Sequence, residues 1–113
     1  MFKLSENGEL LWSKLYGGTC FEEAISLEHA SQSGFVIAGG ACSDDGDIHW
    51  NKGIYDGWVF RIDDEGVLLW ERTFGGGEND YFYHIGRRRN GDFVLAGMSE
   101  SVNGELDVNK GNG

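Results

Sequence analysis

The stretch Phe35-Val36-Ile37-Ala38-Gly39 decides the fold, because it recurs 58 residues later as Phe93-Val94-Leu95-Ala96-Gly97. At that shift the sequence aligns with itself without a gap, and 16 of the 55 overlapping pairs are identical. The identities cluster in apolar, strand-like runs, so the sequence indicates an internal repeat. Outside the quoted stretch, the repeat matches Gly8, Leu10–Trp12 and Gly17–Gly18 with Gly66, Leu68–Trp70 and Gly75–Gly76.

Each repeat unit is predicted to contain four short strands and no helix. Trp58 and Phe60 alternate with Val59 and Arg61, which is the period of a β-strand. The dipeptide Asn90-Gly91 joins two such runs and is typical of a hairpin turn. No segment has a sustained apolar period of 3.6 residues. The strands predicted for one complete unit are Glu23–Ser31, Phe35–Ala41, Gly57–Ile62 and Val67–Phe74.

Four antiparallel strands per unit, at a period of tens of residues, are typical of a β-propeller blade. Large apolar groups fall on both strand faces, with Trp12 on one and Leu11 and Leu15 on the other. A sheet that packs against a neighbour on each side needs this pattern. A β-sandwich seldom repeats its sequence so regularly, and a solenoid has shorter rungs. We therefore predict an all-β fold of propeller-type repeats.

Four stretches carry a resemblance to a known family: Asp56–Asp63, Gly66–Trp70, Phe74–Asp80 and Gly91–Gly97. Together they resemble the bacterial seven-bladed β-propeller repeat family. The matching motifs are turns and core strands, so the resemblance implies the fold and says little about function. It also implies a secreted or cell-surface protein with many such repeats. Thr19–Glu22 departs from the small, acidic loop that is usual in the family.

The family's blade order implies a phase for the repeat. Residues 1–22 would then supply the two outer strands of one blade, and residues 23–75 a complete blade. Residues 76–113 would supply the two inner strands of a third. Two repeat periods are three residues longer than the chain of 113 residues.

A chain with one complete blade between two half blades needs partners. It leaves strand edges and one apolar sheet face at each end uncovered. We expect the chain to be a segment of a longer multi-blade protein. The alternative is head-to-tail assembly of several copies, in which half blades pair between chains and a ring closes.

Composition limits the other partners. The formal net charge is −10, which disfavours nucleic acid and anionic membranes. The N-terminal residues have no signal-peptide pattern, and no apolar run is long enough to span a membrane. Localisation outside the cell is therefore implied by the resemblance alone. Cys20 and Cys42 lack metal-ligand spacing and have no cysteine at their repeat positions, so we expect free thiols, with a disulfide as the alternative.

The most acidic loop is one candidate binding site. Asp44, Asp45 and Asp47 could offer oxygen ligands to calcium, but the regular spacing of a calcium loop is missing. A solvated turn is the simpler interpretation, and we expect no cofactor. The same loop nearly matches the aspartate box of sialidase-like propellers, with its glycine one position early. The aromatic residues Trp50 and Tyr55 lie further along this loop and could stack on sugar rings or cover the blade edge.

No motif for catalysis is present. A Gly-x-Ser-x-Gly turn is missing, the three histidines have no partner at ligand spacing, and Gly75–Gly77 lacks the lysine of a phosphate loop. Arg87–Arg89 and Asp63-Asp64 are interpreted as solvated strand ends and turns. We therefore expect a non-enzymatic scaffold or protein- or glycan-interaction module. The alternatives are a self-assembling small propeller and a glycan-acting hydrolase.

Overall fold

The computed structural model describes residues 1–51 and 53–102, and all of their regular structure is β-strand. The prediction of an all-β fold is therefore confirmed. No helix in this part of the chain could cross a membrane. The eight strands are β1 (Phe2–Leu4), β2 (Leu10–Ser13), β3 (Glu22–His29), β4 (Phe35–Ala41), β5 (Asp56–Ile62), β6 (Leu68–Phe74), β7 (Asp80–Arg87) and β8 (Phe93–Ser99).

The strands form three antiparallel sheets. The central sheet has the order β3-β4-β5-β6, and the hairpins β1-β2 and β7-β8 form two-stranded sheets. In the hairpin β1-β2, Phe2 pairs with Ser13 and a bulge follows Lys3. In the central sheet, 58 residues later, Phe60 pairs with Glu71 and a bulge follows Arg61.

The other hairpin shows the same relationship to the first half of the central sheet. Glu22 pairs with Ala41 at the start of β3, and Asp80 pairs with Ser99 at the start of β7. A bulge lies within Ala24–Ser26 in β3 and within Phe82–His84 in β7. Each hairpin therefore has the pairing register of one half of the central sheet.

The two inner strands of the central sheet, β4 and β5, are buried on both faces, because a hairpin packs on each side. One apolar cluster contains Ile37, Phe60 and Ile62, against which Trp12 and Tyr16 of the N-terminal segment pack. The second contains Val36, Ala38, Val59 and Ile85, with packing partners Phe74, Phe82, Phe93 and Leu95. Burial on both faces explains why β4 and β5 carry apolar side chains at consecutive positions.

Polar contacts fix the N-terminal hairpin to the turn between β5 and β6. The Trp12 indole Nε1 donates to the Asp64 carbonyl at 3.0 Å, and Lys3 Nζ donates to the same oxygen at 3.1 Å. The Tyr16 hydroxyl donates to the Gly66 carbonyl. The sequence pattern predicts a strand from Leu10 to Tyr16, but β2 ends at Ser13.

The expectation of free thiols was wrong. Cys20 and Cys42 form a disulfide with a Cα–Cα distance of 5.5 Å. The physical reason is the register of β3 and β4, which places Glu22 opposite Ala41 and brings the residues just outside this pair together. The hydrogen bond from the Cys42 N–H to the Phe21 carbonyl, at 3.1 Å, extends the same hairpin.

The sequence repeat also matches Asn51–Gly53 with residues 109–111. Lys52 and residues 109–111 lie outside the described residues, and so does the end of the predicted segment 76–113.

Candidate functional site

All five candidate site residues lie in the segment 42–55, which joins β4 to β5. The segment passes close to the connection between β2 and β3, where Gly46 meets Gly17. A Cβ atom at Gly46 would lie 2.2 Å from the Gly17 carbonyl oxygen, and the Gly46 φ angle is +65°. Only glycine allows this approach, so the acidic loop is held against its neighbour by backbone geometry.

Two of the three loop carboxylates bind this neighbouring connection. Asp45 Oδ1 accepts a hydrogen bond from the Thr19 N–H at 2.8 Å, and its Oδ2 accepts one from the Thr19 hydroxyl at 2.7 Å. These bonds lower the pKa of Asp45, because they favour the charged form. Asp47 Oδ2 accepts from the Gly17 N–H at 3.0 Å. Both carboxylates therefore hold two loops together.

Asp44 instead closes the loop on itself. Its Oδ1 accepts from the Asn51 N–H at 3.2 Å. The Asn51 side-chain amide donates to the Ala41 and Ser43 carbonyls, each at 3.1 Å. The acidic loop thus has the hydrogen bonding of a structured turn. Among residues 1–51 and 53–102, no group of three or more His, Cys, Asp or Glu side chains could hold a metal ion.

Trp50 presents its indole to solvent. Its side chain is 82% exposed, and its φ angle of 65° is unusual for a bulky residue. The Thr73 hydroxyl donates to the Trp50 carbonyl at 2.8 Å and also contacts the His49 carbonyl at 3.2 Å. The buried Thr73 therefore anchors the backbone beneath an exposed aromatic ring. Ile54, in the same segment, is 64% exposed.

Tyr55 lies inward, unlike Trp50. Its ring packs where Gly40 has no side chain, since a Cβ there would lie 2.2 Å from the ring, and it meets Tyr81 edge-on with centroids 5.6 Å apart. Burial, and then the nearby carboxylates of Glu23 and Glu22, raise the pKa of Tyr55 to about 12. Of the two aromatic residues that the sequence offered for sugar stacking or for covering the blade edge, Tyr55 packs inward and Trp50 is exposed.

A buried acidic network was not found from the sequence. Asp80 is 4% exposed, and its Oδ2 accepts from the Gly76 N–H at 2.9 Å and from the Ser101 hydroxyl at 2.6 Å. The Glu78 N–H in turn donates to the Ser101 Oγ at 3.0 Å. The network fixes the connection between β6 and β7.

Glu22 makes the corresponding contacts at the connection between β2 and β3. Its Oε2 accepts from the Gly18 N–H at 3.1 Å, its Oε1 accepts from the Ser43 hydroxyl, and the Ser43 Oγ accepts from the Cys20 N–H at 2.8 Å. The sequence signal for this network was the repeat itself, since Ser43 stands 58 residues before the identical Ser101. The acid at each site differs, which hid the relationship.

Other sequence candidates occupy structural positions. His49 Nδ1 lies 3.1 Å from Glu71 Oε1, and the same carboxylate accepts from the Trp58 indole at 3.2 Å. Asp63 Oδ1 accepts from the Glu65 and Val67 N–H groups, each at 2.9 Å, in the turn between β5 and β6. Arg87–Arg89 are exposed at the end of β7.

The three carboxylates of the loop thus form hydrogen bonds that hold the loop in place, and Trp50 and Ile54 are its large exposed apolar side chains. No known family model matches the chain, and no curated protein matches it.

Proposed function

We propose that the chain is part of a β-propeller and acts as a non-enzymatic scaffold or interaction module. The central sheet β3–β6 would be one complete blade, the N-terminal hairpin the outer half of another, and β7-β8 the inner half of a third. The observation that carries this proposal is the pairing register. Each hairpin has the register and bulge of the matching half of the central sheet, and each covers one of its faces.

The engaged loop carboxylates favour a role without catalysis. A general acid or base must reach the proton that it transfers. Asp45 and Asp47 accept hydrogen bonds from Thr19 and Gly17 instead, and the pKa of Asp45 is lowered. A carboxylic acid that donates a proton needs a raised pKa, so Asp45 is a poor candidate for that role.

The loop between β4 and β5 is the proposed contact surface. Exposed aromatic side chains stack on sugar rings and are enriched at protein interfaces. Trp50 is 82% exposed, and the hydrogen bond from Thr73 to its carbonyl anchors the backbone that carries the indole. A protein or glycan is therefore the proposed partner, and Tyr55, packed inward, is removed from the contact surface.

The disulfide supports the proposal that this propeller segment is secreted. Disulfides persist in oxidising compartments and are rare in the cytosol of most cells. The bond joins Cys20 and Cys42 beside the loop that carries the candidate residues. It would keep this surface ordered outside the cell.

Two measurements test the proposal. A crystal structure should have both hairpins and the central sheet fanned about one axis, and parallel stacking of the sheets would refute the propeller. Glycan-array and protein-capture binding should be lost in Trp50→Ala and kept in Phe21→Ala, whose side chain is also exposed, at 64%. Glycan cleavage by the native chain that disappears in Asp45→Asn would refute the non-enzymatic role.

A further inference from the structure

An apolar groove lies open between the central sheet and the β7-β8 hairpin. Its volume is about 740 Å³, and Arg72 and Asp92 lie at its polar margin. Trp70, in the groove wall, is 40% exposed. Besides the buried Ile85, the wall contains four large apolar side chains, those of Trp70, Phe74, Phe93 and Leu95.

The same four positions, 58 residues earlier, lie in a filled cluster on the other face of the central sheet. They are Trp12, Tyr16, Phe35 and Ile37. There Phe60 and Ile62, which are 2% and 0% exposed, and Leu68 complete the cluster. The Tyr16 and Phe60 rings lie 5.1 Å apart. The filled cluster therefore indicates which side chains the open groove would accept.

The side chains that would fill the groove are exposed on the N-terminal hairpin of this chain. Phe2, Leu4 and Leu10 stand 58 residues before Phe60, Ile62 and Leu68, and they are 73%, 56% and 58% exposed. The N-terminal hairpin packs on one face of the central sheet and the groove opens on the other. The N-terminal hairpin of a chain therefore lies away from the groove of that chain, but the same hairpin of a second copy can reach it.

We propose that β1 of a second copy pairs with β8 and places its Phe2 and Leu4 in this groove. The pairing follows from β4 and β5, where Ile37 is opposite Phe60 and Phe35 is opposite Ile62. By the same register, Leu95 pairs with Phe2 of the second copy, and Phe93 pairs with its Leu4. This docking rests on the proposed propeller, and it completes a four-stranded sheet from two chains.

The interface is of the head-to-tail kind, since a different surface is used on each copy. Two chains of net charge −10 repel each other, and salt screens that repulsion. Association should therefore strengthen between low salt and about 0.5 M NaCl, where the Debye length is only a few ångströms. Closure would give a ring of a few copies, since propellers have about 4–8 blades.

Light scattering on a size-exclusion column tests the docking. The native chain should form a species of two to four copies. Phe2→Ser/Leu4→Ser should weaken association by at least about 30-fold, the loss of roughly two partly buried side chains. Phe21→Ser is the matched control, because Phe21 is similarly exposed, at 64%, and has no counterpart in the filled cluster. Far-UV circular dichroism should be unchanged in both variants.

Disulfide trapping tests the register. Val36 pairs with Arg61 in the central sheet, so Val94 should lie opposite Lys3 of the second copy. Mixing Val94→Cys with Lys3→Cys under mild oxidation should give a cross-linked dimer, because paired Cα atoms lie within disulfide range. Mixing Val94→Cys with Leu4→Cys should not, since adjacent strand positions face opposite ways.

Three results would overturn the docking: a native chain that stays monomeric up to on the order of 100 µM, equal weakening by Phe21→Ser, or equal trapping by the Leu4→Cys control. A monomer whose crystal structure has fanned sheets would end this inference and leave the propeller proposal standing. Sheets that share no common axis would refute the propeller proposal, whether the chain is a monomer or an oligomer.

Discussion

Removal of the Cys20–Cys42 disulfide should lower the stability of the fold by about 3 kcal/mol. The two cysteines are separated by 22 residues and lie just outside the paired ends of β3 and β4. In the chain-entropy account, a cross-link of that span restricts the unfolded chain by about 11 cal/mol/K, which is about 3 kcal/mol at room temperature. The native contacts of the hairpin stay, because hydrogen bonds already join its strands.

Urea unfolding, followed by tryptophan fluorescence and circular dichroism at one fixed low concentration, measures the effect. With a slope of about 1–3 kcal/mol per molar urea, reduction should move the midpoint down by roughly 1–3 M. The variant Cys20→Ser/Cys42→Ser should match the reduced native chain and should not respond to reductant. An unchanged midpoint on reduction would refute the reasoning, because the bond would then restrict nothing that unfolding releases.

Three other perturbations have expected outcomes. Asp80→Ala should destabilise the chain by about 2–4 kcal/mol in urea unfolding, because it leaves the buried Gly76 N–H and Ser101 hydroxyl without their acceptor. Asp80→Asn should cost less, since one acceptor oxygen remains. In alkaline spectrophotometric titration, the latest tyrosine to ionise should have a pKa of about 12 and should be missing in Tyr55→Phe. Its raised pKa means that the unfolded chain releases this proton first, so stability should fall as pH rises from about 10 to about 12. Trp50→Gly should be more stable than Trp50→Ala by about 1 kcal/mol in thermal unfolding, because only the glycine relieves the φ angle of 65°.

The sheet structure was accessible from the sequence because it depends on local alternation. In β5, Trp58 and Phe60 face one cluster and Val59 faces the other, and the order of side chains alone predicts that division. The turn at Asp63 was likewise predictable, because a short carboxylate can accept from backbone N–H groups a few residues later.

Features that depend on two distant segments were harder to predict. The disulfide forms because the β3-β4 register brings Cys20 to Cys42, and Glu78 and Glu100 at the corresponding positions gave no hint of it. Tyr55 turns inward because Gly40, on a neighbouring strand, leaves room for its ring. The carboxylates of the acidic loop were recognised as turn residues or ligands, but Thr19, the partner of Asp45, lies 26 residues away from it. The type of a side chain alone does not predict which distant residue it will contact.

The unlike ends of the chain, with Phe2 and Leu4 protruding from one and a groove at the other, give it a direction. In the proposed docking, a variant that lacks the Phe2 and Leu4 side chains can still bind a native copy in its groove but cannot dock into the groove of another copy. It would therefore act as a terminator that enters an assembly only at one extremity. Mixed with native protein in increasing proportion, the variant would lower the average number of copies in an open filament. A closed ring of native copies would be affected far less, because it has no free N-terminal hairpin to which the variant could add.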